Sequence, residues 1–282
     1  MRFLVWDDFN GKLIGLLALG DPVFNLRVRD EWIGWSSEDR RARLVHLMDA
    51  FVLGAVPPYN AILAGKLIAC LLRTREVKDA FAAKYSKTQG IISEEFKRPK
   101  LCLVTTTSAL GRSSLYNRLS LGGIRYFQSI GATSGWGHFH IPDSLFAKMR
   151  SYLEQQSDAY SHNHKFGDGP NWRLRAVRKV LTLVGFHPHL LRHGVQREVF
   201  VCPIATNARR VLTGQATRAN HRDLLTLAEV AALARERWIV PRAVRCPEYR
   251  LWSGDEFLRL LIRELSRDGS GALMGTFGQP GE

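Results

Sequence analysis

Cationic side chains are concentrated in the second half of the chain, between Trp172 and Arg250. That stretch carries fifteen Lys and Arg residues against five Asp and Glu residues, and all but one of the cations are Arg. The planar guanidinium group donates several hydrogen bonds in a fixed geometry, which suits phosphate groups and the edges of nucleobases. The residue types in this stretch therefore predict contacts with a nucleic acid.

Four of these cations fall on one predicted helix, over residues 171–185. Arg175 is an i, i+3 neighbour of Arg178 and an i, i+4 neighbour of Lys179, so the three charges share one face. Like charges at this spacing repel each other unless an anion lies nearby. The predicted nucleic-acid contacts are Arg173, Arg175, Arg178, Lys179, Arg192, His193, Arg197, Arg209 and Arg210.

The same stretch contains Trp172 and Trp238, and indole rings can stack on bases. Single aromatic residues more often pack in a core, and we expect these two to do so. For the cations, the alternative is a basic face that is exposed to solvent or docked on an acidic partner. The charge of the whole chain, +14 at pH 7 with a pI near 10.1, favours nucleic acid.

Histidines occur in three His-x-His pairs, at residues 138 and 140, 162 and 164, and 187 and 189. On a strand, the first pair would project from one face, and with Asp143 or Asp168 it would resemble a metal site. The second pair lies in a predicted linker, and Pro188 separates the third. We therefore expect structural or solvent-exposed histidines and no metal site.

Two turns from a strand into a helix carry small and polar residues. At the first, Pro57-Pro58 ends a strand and Asn60 to Gly65 begins a helix, where free backbone N–H groups and the helix dipole favour an anion. The alternative is that Gly65 lets the helix pack closely on the sheet. The second turn contains Ser108 and Gly111. It follows a run of hydroxyl residues without a Gly-x-Ser-x-Gly motif, so a hydrolase is not predicted.

Apolar periodicity and turn-forming residues predict a mixed α/β fold. The predicted strands are 3–6, 12–19, 50–56, 100–105, 125–130, 136–141 and 197–205, with the first two joined as a hairpin. The predicted helices are 60–84, 115–119, 143–156, 171–185, 223–238 and 254–266. Residues 21–43 are predicted to be a loop that Trp32 and Trp35 anchor.

The distribution of charge and polar residues predicts four parts. They are an α/β lobe at 1–156, a linker at 157–169, a basic and mostly helical lobe at 170–267, and a disordered tail at 268–282. Because a predicted strand starts at residue 3, we expect either a minimal protein or one that lacks an N-terminal extension.

The compartment is predicted from the cysteines and the apolar runs. The four cysteines are far apart and form no Cys-x-x-Cys pair, which argues against a zinc ribbon and favours a reducing cytoplasm. Acids at positions 7 and 8 are not typical of a signal peptide, and no apolar run is long enough to span a membrane. We expect a cytoplasmic protein without a membrane partner.

The order of these elements resembles the fold of the GNAT acetyltransferases. The register Asn60-x-x-Leu63-x-Gly65 is similar to the pyrophosphate loop of that family, with a leucine in place of the middle glycine. The resemblance implies an acetyl-CoA site at this loop, with Ser108 and Gly111 beside it, and a general-acid role for Tyr116 toward the leaving thiolate. Because a leucine side chain obstructs the close backbone approach of a ligand, we expect a degenerate site without cofactor.

Long segments over most of the chain resemble the DruA family of the Druantia anti-phage systems. They are GDPVFNLRVRDEWIGW (20–35), GRSSLYNRL (111–119), IGATSGWGHFHIP (130–142), FGDGPNWRLRAVRKVL (166–181) and LRHGVQREVFVCPIATNARRVLTG (191–214). This resemblance implies a role in bacterial defence against phage and supplies no catalytic residue.

We therefore expect a nucleic-acid-binding component of an anti-phage system, with DNA or another nucleic acid and other Druantia-type defence proteins as its partners. The first alternative is an enzyme, either an acyl-CoA-dependent GNAT-like transferase or one that modifies nucleobases. The second alternative is an assembly subunit that only docks other defence proteins.

Overall fold

A computed structural model describes residues 1–86, 98–108, 113–138, 140–158 and 172–267. The strands within these ranges are β1 (Arg2–Asp7), β2 (Lys12–Gly20), β3 (Leu47–Ala55), β4 (Leu103–Ser108), β5 (Ser120–Leu121), β6 (Ile124–Arg125), β7 (Gln128–Ala132) and β8 (Glu198–Pro203).

The helices flank the sheet. They are α1 (Arg27–Ile33), α2 (Ser37–Arg43), α3 (Ala64–Leu71), α4 (Arg75–Tyr85), α5 (Ser114–Asn117), α6 (Asp143–Gln155), α7 (Trp172–Leu183), α8 (Ala208–Leu212), α9 (Leu227–Ala234), α10 (Val240–Arg245) and α11 (Gly254–Arg267). Short 3-10 helices lie at Leu44–His46, Tyr59–Ile62, Pro188–Leu191 and Pro247–Leu251, and a π-helical turn at Arg235–Ile239 joins α9 to α10.

Six strands form one mixed sheet in the order β1-β2-β3-β4-β8-β7, and β5 pairs with β6 in a separate hairpin. β3 and β4 run parallel, and the other neighbouring pairs of the sheet are antiparallel. The last strand of the chain, β8, therefore lies between β4 and β7. This arrangement confirms the predicted α/β class with a mixed sheet and flanking helices.

The first hairpin is confirmed, and its turn follows from its residue types. The Asp7 carbonyl oxygen accepts hydrogen bonds from Asn10 N at 3.3 Å and Gly11 N at 2.7 Å. Gly11 adopts φ +64°, which glycine reaches without a Cβ clash. The Asn10 side chain accepts a hydrogen bond from Lys12 N, so this turn sets the register of β1 against β2.

One face of the sheet packs against α3, which also contacts α9. Leu17, Phe200 and Cys202 point to this side and join Leu67 and Ile68 of α3 in the largest buried cluster. The approach of α3 is close because β2 carries a glycine there. A Cβ on Gly15 would overlap the Gly54 carbonyl oxygen and lie 2.8 Å from Ile68 Cγ1.

The opposite face is covered by α1 and α8, which bury Ile33 and Leu212 in a second cluster. Trp35 anchors the connection after α1, because its indole N–H donates to the Leu212 carbonyl oxygen at 2.6 Å. The fully buried Arg29 donates to two backbone carbonyl oxygens and to Asp30, so its charge is paired. These contacts hold the start of α1 against the sheet.

Residues 133–197 leave the sheet after β7 and return to it at β8. Within this excursion α6 and α7 pack together and form a third buried cluster that includes Phe146, Leu153, Val177 and Leu181. All buried members of the third cluster lie between residues 141 and 191. The excursion thus carries a small helical core of its own.

Three predictions about local structure are wrong. Residues 21–43 contain α1 and α2, and α2 begins at a capping box in which Ser36 and Asp39 satisfy each other's backbone N–H groups. The predicted helix 60–84 is interrupted at residues 72–74, between α3 and α4. Residues 136–138, 140 and 141 form no extended strand, although Trp136 pairs with Arg192 in an isolated bridge.

The division into two lobes stays a prediction, and the structure adds two contacts across it. β8 lies in the sequence of the predicted second lobe but in the sheet of the first, and α6 of the first lobe packs against α7 of the second. Most of the predicted linker (159–169) and the whole predicted tail (268–282) lie outside the described residues.

Candidate nucleic-acid interface

The arginine at the start of α7, Arg173, is turned toward the interior. Its Nη1 atom lies 2.6 Å from Asp143 Oδ1, its Nη2 atom donates to the Ile141 carbonyl oxygen at 2.8 Å, and its guanidinium lies 4.5 Å from the centre of the Phe146 ring. All three partners belong to α6 or to the residues just before it. Arg173 therefore joins α6 to α7, and its contact with nucleic acid stays a prediction.

The other three predicted cations of α7 lie away from its buried residues. The helix buries Ala176 and Val177, whereas Arg178 is exposed and Arg175 and Lys179 are half-buried. Lys179 Nζ lies 3.5 Å from Asp158 Oδ2. Arg178 is the most exposed of the three, and its Cζ atom is 5.9 Å from the centre of the Trp136 ring.

Trp136 lies on an irregular two-stranded ribbon formed by residues 133–137 and 191–197. Thr133 N donates to the Arg197 carbonyl oxygen at 2.9 Å, His193 N to that of Gly135 at 2.9 Å, and Gly137 N to that of Leu191 at 3.0 Å. The ribbon continues the β7–β8 pair beyond the sheet. The buried cluster of α6 and α7 lies in the chain between its two strands. The backbone of the ribbon is thus held by hydrogen bonds on both sides of Trp136.

Glycines make the ribbon narrow. Gly135 has φ +68°, and a Cβ there would lie 3.1 Å from the Gly194 carbonyl carbon. A Cβ on Gly137 would lie 3.2 Å from His193 Nε2. The two glycines therefore let the two backbones and the His193 ring approach each other closely.

Polar rings and cations surround the indole. Trp136 and Arg192 face each other in an antiparallel bridge, a pairing that places both side chains on one side of the ribbon. The His189 ring meets the indole edge-on at 5.7 Å, and Arg178 lies near its face. The structure therefore brings Arg178 and Arg192 of the predicted set to the side of the ribbon that carries Trp136, and it places His193 and Arg197 elsewhere on the same ribbon. We call Trp136, Arg178, His189 and Arg192 the ribbon surface.

Arg209 and Arg210 lie elsewhere. They are exposed on α8, which follows the far end of β8 from Arg197, and a six-residue strand is roughly 20 Å long. The Cζ atom of Arg209 is 5.1 Å from the centre of the Trp32 ring. The predicted set is therefore divided between two regions of the surface.

Sequence reasoning missed several members of these regions. Lys100 donates to the Thr217 carbonyl oxygen and Arg43 lies against Gly214, so both extend the basic region near α8. Trp136 was also missed as an aromatic partner, although its place between two glycines was a signal of a special backbone. Trp238 is buried and Trp172 is half-buried against Phe146, as expected for core residues.

The histidines form no metal site in the part of the chain that the structure describes. No group of three or more His, Cys, Asp or Glu residues lies close enough there to hold an ion. The pKa of His138 is lowered by burial and by the nearby charges of Arg173 and His140, so a neutral ring is favoured. His162, His164 and Asp168 lie outside the described residues.

Tyr116 packs within the main core. Its ring centre lies 5.0 Å from that of Phe127 and 5.2 Å from that of Phe200, and burial raises its pKa above the ordinary value. With a raised pKa the phenol keeps its proton at neutral pH, and its general-acid role stays a prediction. Ser108 is buried at the end of β4, and Gly111 lies outside the described residues.

Asn60 and Gly65 flank the entrance of α3. Asn60 lines an open cleft of about 360 Å³ with Pro58, Ala61, Glu248, Tyr249, Leu251 and Trp252. Leu63 adopts φ +66° and packs its side chain against the main core. A Cβ on Gly65 would meet no atom within 4 Å, so close helix packing does not explain this glycine.

Two comparisons with known proteins agree. A family model described as Druantia protein DruA matches residues 1–214. Druantia protein DruA of Escherichia coli (strain UMEA 4076-1) is 56% identical over 264 residues, which cover 94% of this chain and 65% of that relative. The chain thus spans slightly less than two thirds of the length of this relative.

No solved structure matches the chain. The resemblance to GNAT acetyltransferases therefore stays a prediction. Among the described residues, no helix is long and apolar enough to cross a membrane.

Proposed function

This chain belongs to the family of Druantia protein DruA, and we propose that it is a nucleic-acid-binding component of a bacterial anti-phage defence system. DNA or another nucleic acid is its proposed ligand, and other Druantia-type defence proteins are its proposed partners. The reducing cytoplasm is its proposed compartment, since Cys70, Cys102 and Cys202 are free, buried thiols.

The ribbon surface is the observation that supports this proposal. Arg178 of α7 and Arg192 of the ribbon are both exposed to solvent; Arg178 lies over the Trp136 ring and Arg192 lies across the bridge from it. Phosphate groups are the ligands that exposed arginines bind in nucleic acids, and a net charge of +14 attracts a polyanion from a distance. The arrangement therefore fits a backbone that passes over the ribbon.

The test is a titration of labelled single-stranded and duplex oligonucleotides by the protein at 50–200 mM salt (roughly the range over which phosphate contacts lose affinity). We expect binding at low salt that weakens steeply as salt is added. The double variant Arg178→Glu and Arg192→Glu should weaken binding by about tenfold or more, because it replaces two attractive charges with repulsive ones.

The matched control for each single variant, Arg178→Glu or Arg192→Glu, is Arg2→Glu, which changes the net charge by the same amount. Arg2 is exposed on β1, at the sheet edge opposite to β7, so its reversal changes the net charge without touching the ribbon. An equal loss of affinity in the control and in a ribbon variant would assign binding to net charge alone. Absence of binding at 50 mM salt would contradict the proposal itself.

The acyl-CoA-dependent transferase is the competing proposal, and the cleft at Asn60 gives it little support. The residues that line the cleft are uncharged except for one carboxylate, Glu248. None of these lining residues is a cation that would neutralise a pyrophosphate. Isothermal titration with acetyl-CoA distinguishes the two proposals. Heat of binding, lost on Asn60→Leu, would favour the transferase.

A further inference from the structure

Trp136, on the ribbon surface, is 37% exposed to solvent. Large aromatic side chains usually bury most of their surface, and each of them typically buries about 150–250 Å² on folding. Trp6, on β1, and Trp252 are also exposed. Trp136 differs from them because an arginine lies near its face and a histidine ring meets its edge.

The backbone under Trp136 is fixed, so the indole does not depend on a ligand for its position. Hydrogen bonds from Gly137 N to the Leu191 carbonyl oxygen and from His193 N to that of Gly135 bracket it. Arg178 and His189 lie beside the indole and Arg192 lies across the bridge, and the residue is still exposed to solvent. A flat ligand can therefore reach the exposed part of the indole beside these side chains.

We propose that Trp136 is a stacking platform for an unpaired base, and that the preferred ligand of the ribbon surface is single-stranded nucleic acid. This inference rests on the proposed function. Every base has a π-face that stacks on indole, so the contact requires no particular base sequence. Bases within a duplex stack on one another and offer the indole access only where the duplex is open.

Charges around the indole match the ligand. Arg192 lies across the bridge from Trp136 and Arg178 lies over its ring, so two arginines are available to the phosphates beside a stacked base. Arg178 is within 6 Å of the ring centre and holds the indole by a cation–π contact. The aromatic ring would therefore select unpaired bases, while the arginines contribute affinity for either form.

The experiment measures fluorescence anisotropy of a labelled single-stranded thymidine oligonucleotide and of a duplex of the same length, with four proteins. They are the unchanged chain, Trp136→Ala, Trp136→Phe and Trp6→Ala. Trp6 is the matched control because it is 53% exposed on β1 at the opposite sheet edge, roughly 24 Å away by strand spacing.

We expect the unchanged chain to prefer the single strand. Trp136→Ala should weaken single-strand binding about tenfold and change duplex binding less than threefold, because stacking on one base has that value. Trp136→Phe should restore most of the affinity, and Trp6→Ala should bind as the unchanged chain does. Thermal unfolding of each variant shows that the fold is retained, and Trp136→Leu, which is apolar but has no π-face, carries the test if Trp136→Ala does not fold.

Two results would overturn the inference, and they can be told apart. If Trp136→Ala binds the single strand as tightly as the unchanged chain, or both ligands lose equal affinity, stacking is wrong while the proposed nucleic-acid binding stands. If neither ligand binds at low salt, the proposed function fails and the stacking site fails with it.

Discussion

Arg173 and Arg178 are five positions apart on α7 and have opposite surroundings. Arg173 reaches Asp143, the Ile141 carbonyl oxygen and the Phe146 ring, whereas Arg178 lies exposed beside Trp136. Helical spacing shows which residues share a face, but it does not show which of them meets another element. The difference between a structural and a surface arginine arises only from the packing of α6 on α7.

Replacing Arg173 by Ala should lower the free energy of unfolding by about 1–2 kcal/mol, since a charge-assisted hydrogen bond and a partly buried cation–π contact are lost. The ion pair adds little because Asp143 is exposed. Urea unfolding followed by far-UV circular dichroism measures the change. Arg178→Ala is the control and should stay within about 0.5 kcal/mol. Equal effects of the two substitutions would contradict the assigned roles.

Asp49 is on β3, on the face of the sheet that α1 and α8 cover. It accepts a hydrogen bond from Thr105 Oγ1 at 2.6 Å. Burial raises its pKa above the ordinary 3.8, although the Thr105 hydrogen bond and the charge of Arg29 act in the other direction. Because the folded state holds the proton more tightly, the stability that Asp49 contributes is full below pH 3.8 and is lost as pH rises through the raised pKa.

Asp49→Asn removes this titration. The stability of the variant relative to the unchanged chain should therefore increase from about pH 3.5 to pH 7, as measured by urea unfolding across that range. The control is Asp8→Asn in the exposed hairpin turn, which removes the same charge without removing a buried group. A relative stability that falls as pH rises would contradict the stated cause.

At the scale of elements, the first hairpin and α6, α7 and β8 were predictable because their turn residues and apolar spacing act locally. α1 and α2 were missed because each has only seven residues, although Ser36 and Asp39 carry a capping-box signal. The ribbon was missed for a different reason. Its hydrogen bonds join residues 133–137 to residues 191–197, and such a distant pairing leaves no local pattern.

The close packing of α3 on β2 depends on Gly15, and replacing this glycine tests the contact. Gly15→Ala should lower the free energy of unfolding by about 1–3 kcal/mol, since a Cβ there overlaps the Gly54 carbonyl oxygen and crowds Ile68. Gly54→Ala is the matched control on the neighbouring strand, because a Cβ at Gly54 meets no atom within 4 Å. Chemical denaturation compares them. Equal stability of the two variants would show that α3 does not approach β2 this closely.

At the scale of the whole molecule, the charge of the chain is distributed over at least two regions. The ribbon surface and the region of Arg209 and Arg210 lie at opposite ends of β8. The excess of positive charge was readable from composition, and it is the basis on which a polyanionic partner is proposed. The meeting of Arg178 with Arg192 around Trp136 was not, because it requires the excursion from the sheet to fold back on itself.

Phosphate contact at the ribbon surface is the central claim, and the salt dependence of single-strand affinity tests it most directly. The unchanged chain should show a linear fall of log affinity with log salt, by about 0.7 for each phosphate that it neutralises. With Arg178 and Arg192 both changed to Gln, the slope should become shallower by about 1.4, whereas Arg2→Gln should leave it unchanged. A slope that is the same in all three proteins would contradict the claim.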